Sequence, residues 1–173
     1  MAYMPLTKEK IGEFIDAAVK DQFKAKELLR LYPALKDARW LHNETVMHFL
    51  AIEGYTDAVR FLCEQGFDVN VVDEFGDPPL IHVAKLGHSE IARILLEHGA
   101  DPNATSETDD NALHIAVGMG YTELADMLLK AGARADYVTD TGETVFDVLP
   151  YKPHKRKAML EVLERHGVNS PSE

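Results

Sequence analysis

Cysteine and tryptophan occur once each in 173 residues, as Cys63 and Trp40. One thiol cannot close an internal disulfide and gives no metal-ligand spacing, which suits a reducing compartment. Long apolar runs are missing, so no segment reaches the length that crosses a bilayer. The opening MAYMPLTKEKIGEF has neither the apolar core nor the small-residue cleavage pattern of a signal peptide. Together these absences predict an intracellular, cytoplasmic chain. Bases are also scarce: 18 Lys and Arg stand against 29 Asp and Glu, a formal charge of −11. Nucleic acid and anionic membrane both reward basic surface, so neither is expected as the main partner. Basic protein surfaces remain open. GxSxG, P-loop, GxGxxG and CxxC motifs are absent too, which removes the usual signals of nucleophilic, nucleotide and redox chemistry.

What is present is periodic. GYTDAVRFLCEQGFDVNV begins at Gly54, GHSEIARILLEHGADPNA at Gly87 and GYTELADMLLKAGARADY at Gly120, each 33 residues after the last. Gly66, Gly99 and Gly132 keep the interval, as do Leu62, Leu95 and Leu128. Each unit reads as two short helices separated by glycine. The first helices are expected at about 46–53, 79–86 and 112–119, and the second at about 57–65, 90–98 and 123–131. Pro79 suits a first helical turn, where its missing N–H costs nothing, and glycine suits the left-handed cap after the last turn. In EIARILLEHG, Ile91, Ala92, Ile94, Leu95 and Leu96 form a wide apolar stripe. Helices of eight or nine residues cannot bury such a stripe alone, whereas stacked copies can. Hydrophobic residues make up 46% of the chain, enough for an ordered core.

A 33-residue unit whose first helix opens on TPLHxA resembles the ankyrin repeat. ALHIAVGMGYTELADMLLKAGA (residues 112–133) matches best, with Leu113 and His114 in the Leu-His places. The copy at 78–104 carries Ile81 where histidine is usual, and the copy at 45–70 keeps Thr45 and His48. The resemblance implies one all-α domain over residues 1–173: an ankyrin-type solenoid of stacked helix-turn-helix repeats with projecting turn or β-hairpin fingers. An N-terminal cap unit is expected at about 10–42, with Asp21 and Pro33 in place of the two glycines. Repeats follow at 43–75, 76–108 and 109–141, then a divergent C-terminal cap repeat at 142–168 and a tail at 169–173. Gly167 falls two residues late, so a short insertion is expected at 151–154, ahead of a last helix at about 155–165.

Eight histidines invite a metal or catalytic reading, but none is spaced as HxxxH or HxxE. His48 and His114 hold the motif's histidine place, where the family's side chain bonds backbone or threonine in the turns. Cys63 reads as a small packing residue rather than a nucleophile. Asn70 and Asn103 read as amides that satisfy turn backbone groups. Asparagine hydroxylation is known at this place in some animal ankyrin proteins, and nothing in these residues requires it. Lys152, Lys155, Arg156 and Lys157 read as the solvated start of the last helix, with nuclear targeting as the alternative. No catalytic residue, cofactor or metal is expected.

The resemblance further implies that turns and first helices together face a partner. Four turn windows one period apart, starting at residues 38, 71, 104 and 137, hold nine acids and one base, Arg39. The residues expected to meet the partner are Trp40, Leu41, Glu44, Glu74, Phe75, Asp77, Glu107, Asp110, Asp140 and Glu143 in the turns. Ile52, Glu53, Lys85, Leu86, Met119 and Tyr151 join them at the first-helix ends. Apolar anchors inside a charged rim are what a protein interface needs. The expected function is non-catalytic binding of a protein with a basic or mixed basic and apolar surface, by a chain that is a monomer alone. The alternatives are a dedicated inhibitor or immunity protein that blocks a toxin or enzyme, to which a small stand-alone chain is suited, and, remotely, an enzyme.

Overall fold

The computed structural model describes residues 6–40 and 44–169. The helices come in pairs. α1 (Lys8–Lys20) and α2 (Gln22–Leu31) form the first pair, followed by a 3₁₀ segment, Pro33–Asp37. α3 (Val46–Ile52) pairs with α4 (Thr56–Glu64), α5 (Pro79–Leu86) with α6 (Ser89–Glu97), and α7 (Ala112–Met119) with α8 (Thr122–Lys130). α9 (Pro153–Arg165) closes the stack. First helices pack on first helices, α3 on α5 on α7, and second helices on second helices, α4 on α6 on α8. α1 packs on α3 and α4 at one end and α9 packs on α8 at the other. The result is the all-α solenoid of helix-turn-helix units that the period predicts. Among the described residues no helix is long and apolar enough to cross a membrane.

Local chemistry explains where each helix starts. Thr45 caps α3 through a capping box with His48, and the Asn111 side chain caps α7 by accepting from the His114 amide at 2.9 Å. Pro79 opens α5. The second helices all start one residue earlier than the apolar stripe predicts, at Thr56, Ser89 and Thr122. Asp21, which replaces a glycine, ends α1 and caps α2, its carboxylate accepting from Lys24 N at 3.1 Å.

The core is one continuous column. Leu50, Leu80, Leu113, Leu62, Leu95 and Leu128 are fully buried between neighbouring units. Each such side chain contributes about 2 kcal/mol through removal from water. Phe14 and Ala18 of α1 close the column at one end, and Met159 and Leu163 of α9 close it at the other. Gly87 shows how tightly successive units meet: it ends α5 with φ +73°, and a Cβ there would stand 2.8 Å from the Tyr121 ring. Only glycine satisfies both conditions.

The C-terminal unit differs from the sequence reading. Residues 145–148 form a turn rather than a first helix: Thr144 N donates to the Asp147 carboxylate at 2.7 Å as at a helix start, but Pro150 has no N–H and biases Leu149 away from helical backbone, so no helix propagates. Of the insertion expected at 151–154, Pro153 and His154 form the start of α9, which runs 13 residues, and Tyr151 and Lys152 precede it. Of the turn or β-hairpin fingers expected, tight turns form: Asp73 N donates to Asp77 O at 3.2 Å, Ser106 N to Asp110 O at 2.7 Å and Thr139 N to Glu143 O at 3.0 Å. No strand forms there among the described residues, only the isolated bridges Arg39–Thr45 and Thr105–Asn111.

Candidate functional site

The turn acids divide into two sets. Asp77 is 3% exposed; its Oδ1 accepts from Glu107 N of the next turn at 2.8 Å, and its Oδ2 pairs with Lys85 at 2.7 Å. Asp73 is buried and accepts from Phe75 N and Asp77 N. Asp109 stands at the register of Gly76 and Gly142 with φ +63°, and accepts from Asp140 N at 2.6 Å and from the Tyr137 hydroxyl. That bond to Asp109 pushes the Tyr137 hydroxyl up to about 12 and holds the Asp109 carboxyl below its usual range. These three carboxylates tie turns to one another or close them. Asp77 was expected to meet a partner; its burial removes it from that role, and the Asp77 pairing folds Lys85 back across its own turn.

The second set faces water. Glu74, Glu107 and Asp140 are exposed and stand one period apart, and Glu143 is exposed beside them. Asp110 and Glu44 are half-buried. Exposed apolar groups stand at other positions of the repeat. Phe75 (52% exposed) follows Glu74, and Leu86 (49%) and Met119 (52%) take the same place at the ends of α5 and α7. Glu53 holds that place after α3 and is exposed, and Tyr151 is fully exposed. Ile52 is half-buried, and its carbonyl accepts from His88 Nε2 at 3.2 Å. Trp40 is half-buried over Gly12 and so belongs to the packing against α1. Leu41 lies outside the described residues.

Among the described residues His48, His82, His88, His98, His114 and His166 are engaged in hydrogen bonds within the chain. His48 Nδ1 lies 3.0 Å from Thr45 Oγ1, and its Nε2 lies 3.0 Å from the Asp77 carbonyl in the next turn. Burial first, and His82 beside it, push His48 below the ordinary imidazole range in spite of that carbonyl. His114 repeats the position with one change: Asn111 replaces threonine. The Asn111 oxygen accepts both from His114 N and from His114 Nδ1, which fixes the proton on Nδ1. His114 Nε2 is then a bare acceptor, and it and Asn111 Nδ2 are buried without a hydrogen-bond partner. Asn111 in place of threonine therefore changes the hydrogen bonding of the buried imidazole, which still lies against the Glu143 backbone of the following turn.

Asn70 and Asn103 act as bridges between units. Asn70 accepts from Asp101 N and donates to Gly99 O, and Asn103 accepts from Arg134 N and donates to Gly132 O. Cys63 is buried, which pushes its thiol up to about 11 and makes it inert packing. At the C-terminal end Asp126 of α8 gathers Lys130 (2.6 Å), His166 (2.8 Å) and Arg165 (3.4 Å). No spacing in the sequence announces this junction, because Arg165 and His166 stand 39 and 40 residues from Asp126. The exposed basic residues Lys155, Arg156 and Lys157 lie in the first turns of α9.

Comparison with known proteins agrees with this architecture. Residues 14–106 and 47–139 match the family described as Ankyrin repeats (3 copies). Over 79 residues the chain is 35% identical to a protein described as probable E3 ubiquitin-protein ligase XBOS33, from Oryza sativa subsp. japonica. That match covers 44% of this chain and 15% of the rice protein.

Proposed function

The chain belongs to the ankyrin-repeat family, whose members are in general protein-interaction modules rather than enzymes, and from that premise we propose that it binds a partner protein with a basic and apolar surface. The observation that carries this reading is the recurrence of exposed acids at one register, Glu74, Glu107 and Asp140, together with the exposed apolar side chains of Phe75, Leu86 and Met119. Stacked helices stand about 8–10 Å apart, so neighbouring acids in such a column repel by roughly 0.5 kcal/mol in water before screening. A basic partner turns the repulsion into attraction and speeds encounter. The apolar side chains supply the area that is removed from water at the centre of the contact.

The test begins with affinity capture from native lysate and reconstitution with the purified partner. A variant with Glu74, Glu107, Asp140 and Glu143 all changed to Ser is then compared with the native chain across salt. The expected outcome is weaker binding with a shallower salt dependence and unchanged unfolding. Equal affinity for both proteins would reduce the acidic face to a solubility feature.

A further inference from the structure

We propose that His48, Asp73 and His82 form a binding site for a divalent transition-metal ion of the zinc class, at the joint between the first and second repeats. One imidazole nitrogen from each histidine and one Asp73 carboxylate oxygen all lie within 4.8 Å of one another. His48 comes from α3, Asp73 from the turn that follows its repeat, and His82 from α5. Two imidazoles and a carboxylate form a donor set that suits zinc and its neighbours rather than magnesium or calcium. Three protein ligands leave a position open for water. His48 and Asp73 are buried, while the His82 side chain keeps 19% of its surface exposed and gives the ion a way in.

Asp73 is more than the turn needs. In the next two turns Ser106 and Thr139 hold the same place, and a hydroxyl alone accepts the amide four residues on, from Asp110 at 3.2 Å and from Glu143 at 3.0 Å. Asp73 does that work with Oδ1, which accepts from Asp77 N at 3.0 Å. Its Oδ2 is surplus to the turn and lies 2.8 Å from His82 Nε2. The other joints cannot build the cluster: the equivalents of His48, Asp73 and His82 are Ile81, Ser106 and Ile115 at the next joint, and His114, Thr139 and Val148 at the one after. The cluster is therefore special to one joint and is not a property of the scaffold.

The Thr45 hydroxyl stands ready to hold the His48 ring once Nε2 is given to an ion. Without metal, Thr45 N donates to His48 Nδ1, and His48 Nε2 carries the proton toward the Asp77 carbonyl. With metal, His48 takes the other tautomer. Nδ1–H then donates to Thr45 Oγ1 at 3.0 Å, and Nε2 presents its lone pair to the ion. His82 likewise carries its proton on Nδ1, and the ion takes the place of the proton between His82 Nε2 and Asp73 Oδ2. Tetrahedral zinc holds its ligand atoms about 3.3 Å apart, so the 2.8 Å pair opens slightly while the wider pairs close. Side-chain rotation suffices for both.

The test uses the full chain, free of any affinity tag and stripped with chelator. Co²⁺ is added and followed by its visible d–d absorption, and Zn²⁺ is followed by calorimetry and thermal unfolding. One Co²⁺ should bind per chain and be displaced by Zn²⁺. Free Zn²⁺ about 100-fold above Kd should raise Tm by about 5–10 °C. His82→Ala, and Asp73→Ser (the residue type used by the next turn), should each weaken binding at least tenfold while folding is preserved. His154→Ala, at an exposed position of α9, should change nothing. Absence of stoichiometric binding to the native chain, or undiminished binding to both His82→Ala and Asp73→Ser, would overturn the proposal and leave the cluster as a closed hydrogen-bond network.

Discussion

Asp77→Ala separates scaffold acids from surface acids most sharply. The native carboxylate is buried and makes two contacts: it accepts from Glu107 N at 2.8 Å and pairs with Lys85 at 2.7 Å. A hydrogen bond to a charged acceptor contributes about 1.5–3 kcal/mol, and its removal leaves a part-buried amide to be resolvated. Lys85 is 42% exposed, so its pairing adds well under 1 kcal/mol. Asp77→Ala is therefore expected to cost about 2–3 kcal/mol, or roughly 5–10 °C in Tm for a chain of this length. Asp77→Asn keeps an oxygen for the Glu107 amide and loses only the charge, so about 1 kcal/mol is expected. Asp140→Ala, at an exposed site, should change stability by less than about 0.5 kcal/mol. Urea unfolding gives the three values, and hydrogen exchange at the Glu107 amide locates the effect. Equal costs for Asp77→Ala and Asp140→Ala, or an unchanged exchange rate at Glu107, would refute the division of the turn acids into two sets.

Three further outcomes follow from the same geometry. Gly87→Ala combines a left-handed φ of +73° with a Cβ 2.8 Å from the Tyr121 ring, whereas Gly99→Ala has φ +88° and open space. Urea unfolding should show about 1–2 kcal/mol lost at Gly99 and at least about 1 kcal/mol more at Gly87. Asn111→Thr restores the residue used at position 45, removes the buried orphan amide and frees His114 to donate toward the next turn, so Tm should rise, by about 1 kcal/mol in stability. Asp126 is held down to about 2 from 3.8 by Lys130 first and then His166. Its contribution is complete above about pH 4 and is lost as pH falls from there toward 2. Solvent reaches these pairs, so about 1 kcal/mol is expected. Asp126→Asn should remove that amount at neutral pH and flatten the acid limb of a stability–pH curve.

How much of the site was legible follows from the range of the forces. Helix positions were read within a residue or two because period, caps and breakers act over one or two turns. The exposed acids at 74, 107 and 140 were legible as a repeating register. The direction in which Asp77 points was not: it differs from Glu74 only in facing the amide of Glu107, which stands thirty residues away. Trp40 read as an interface anchor because an isolated aromatic in a turn gives no sign of the glycine in α1 that it covers. The Asp126 junction and the His48–Asp73–His82 cluster escaped notice because their members come from different units and share no fixed spacing.

The sequence by itself determined the unit and its repetition: 33 residues, two helices, glycine stops and an apolar stripe that only a neighbouring copy can cover. Those properties arise from backbone conformation and local burial, which repeat wherever the residues repeat. The tertiary structure alone decided which carboxylates are buried and bonded and which meet water. It decided which histidine carries its proton on which nitrogen, and how the last unit closes without its first helix. Those outcomes depend on what the adjacent layer places opposite each side chain, and adjacent layers differ at just those positions: Pro78 against Asn111, Asp73 against Ser106, Ile81 against His114.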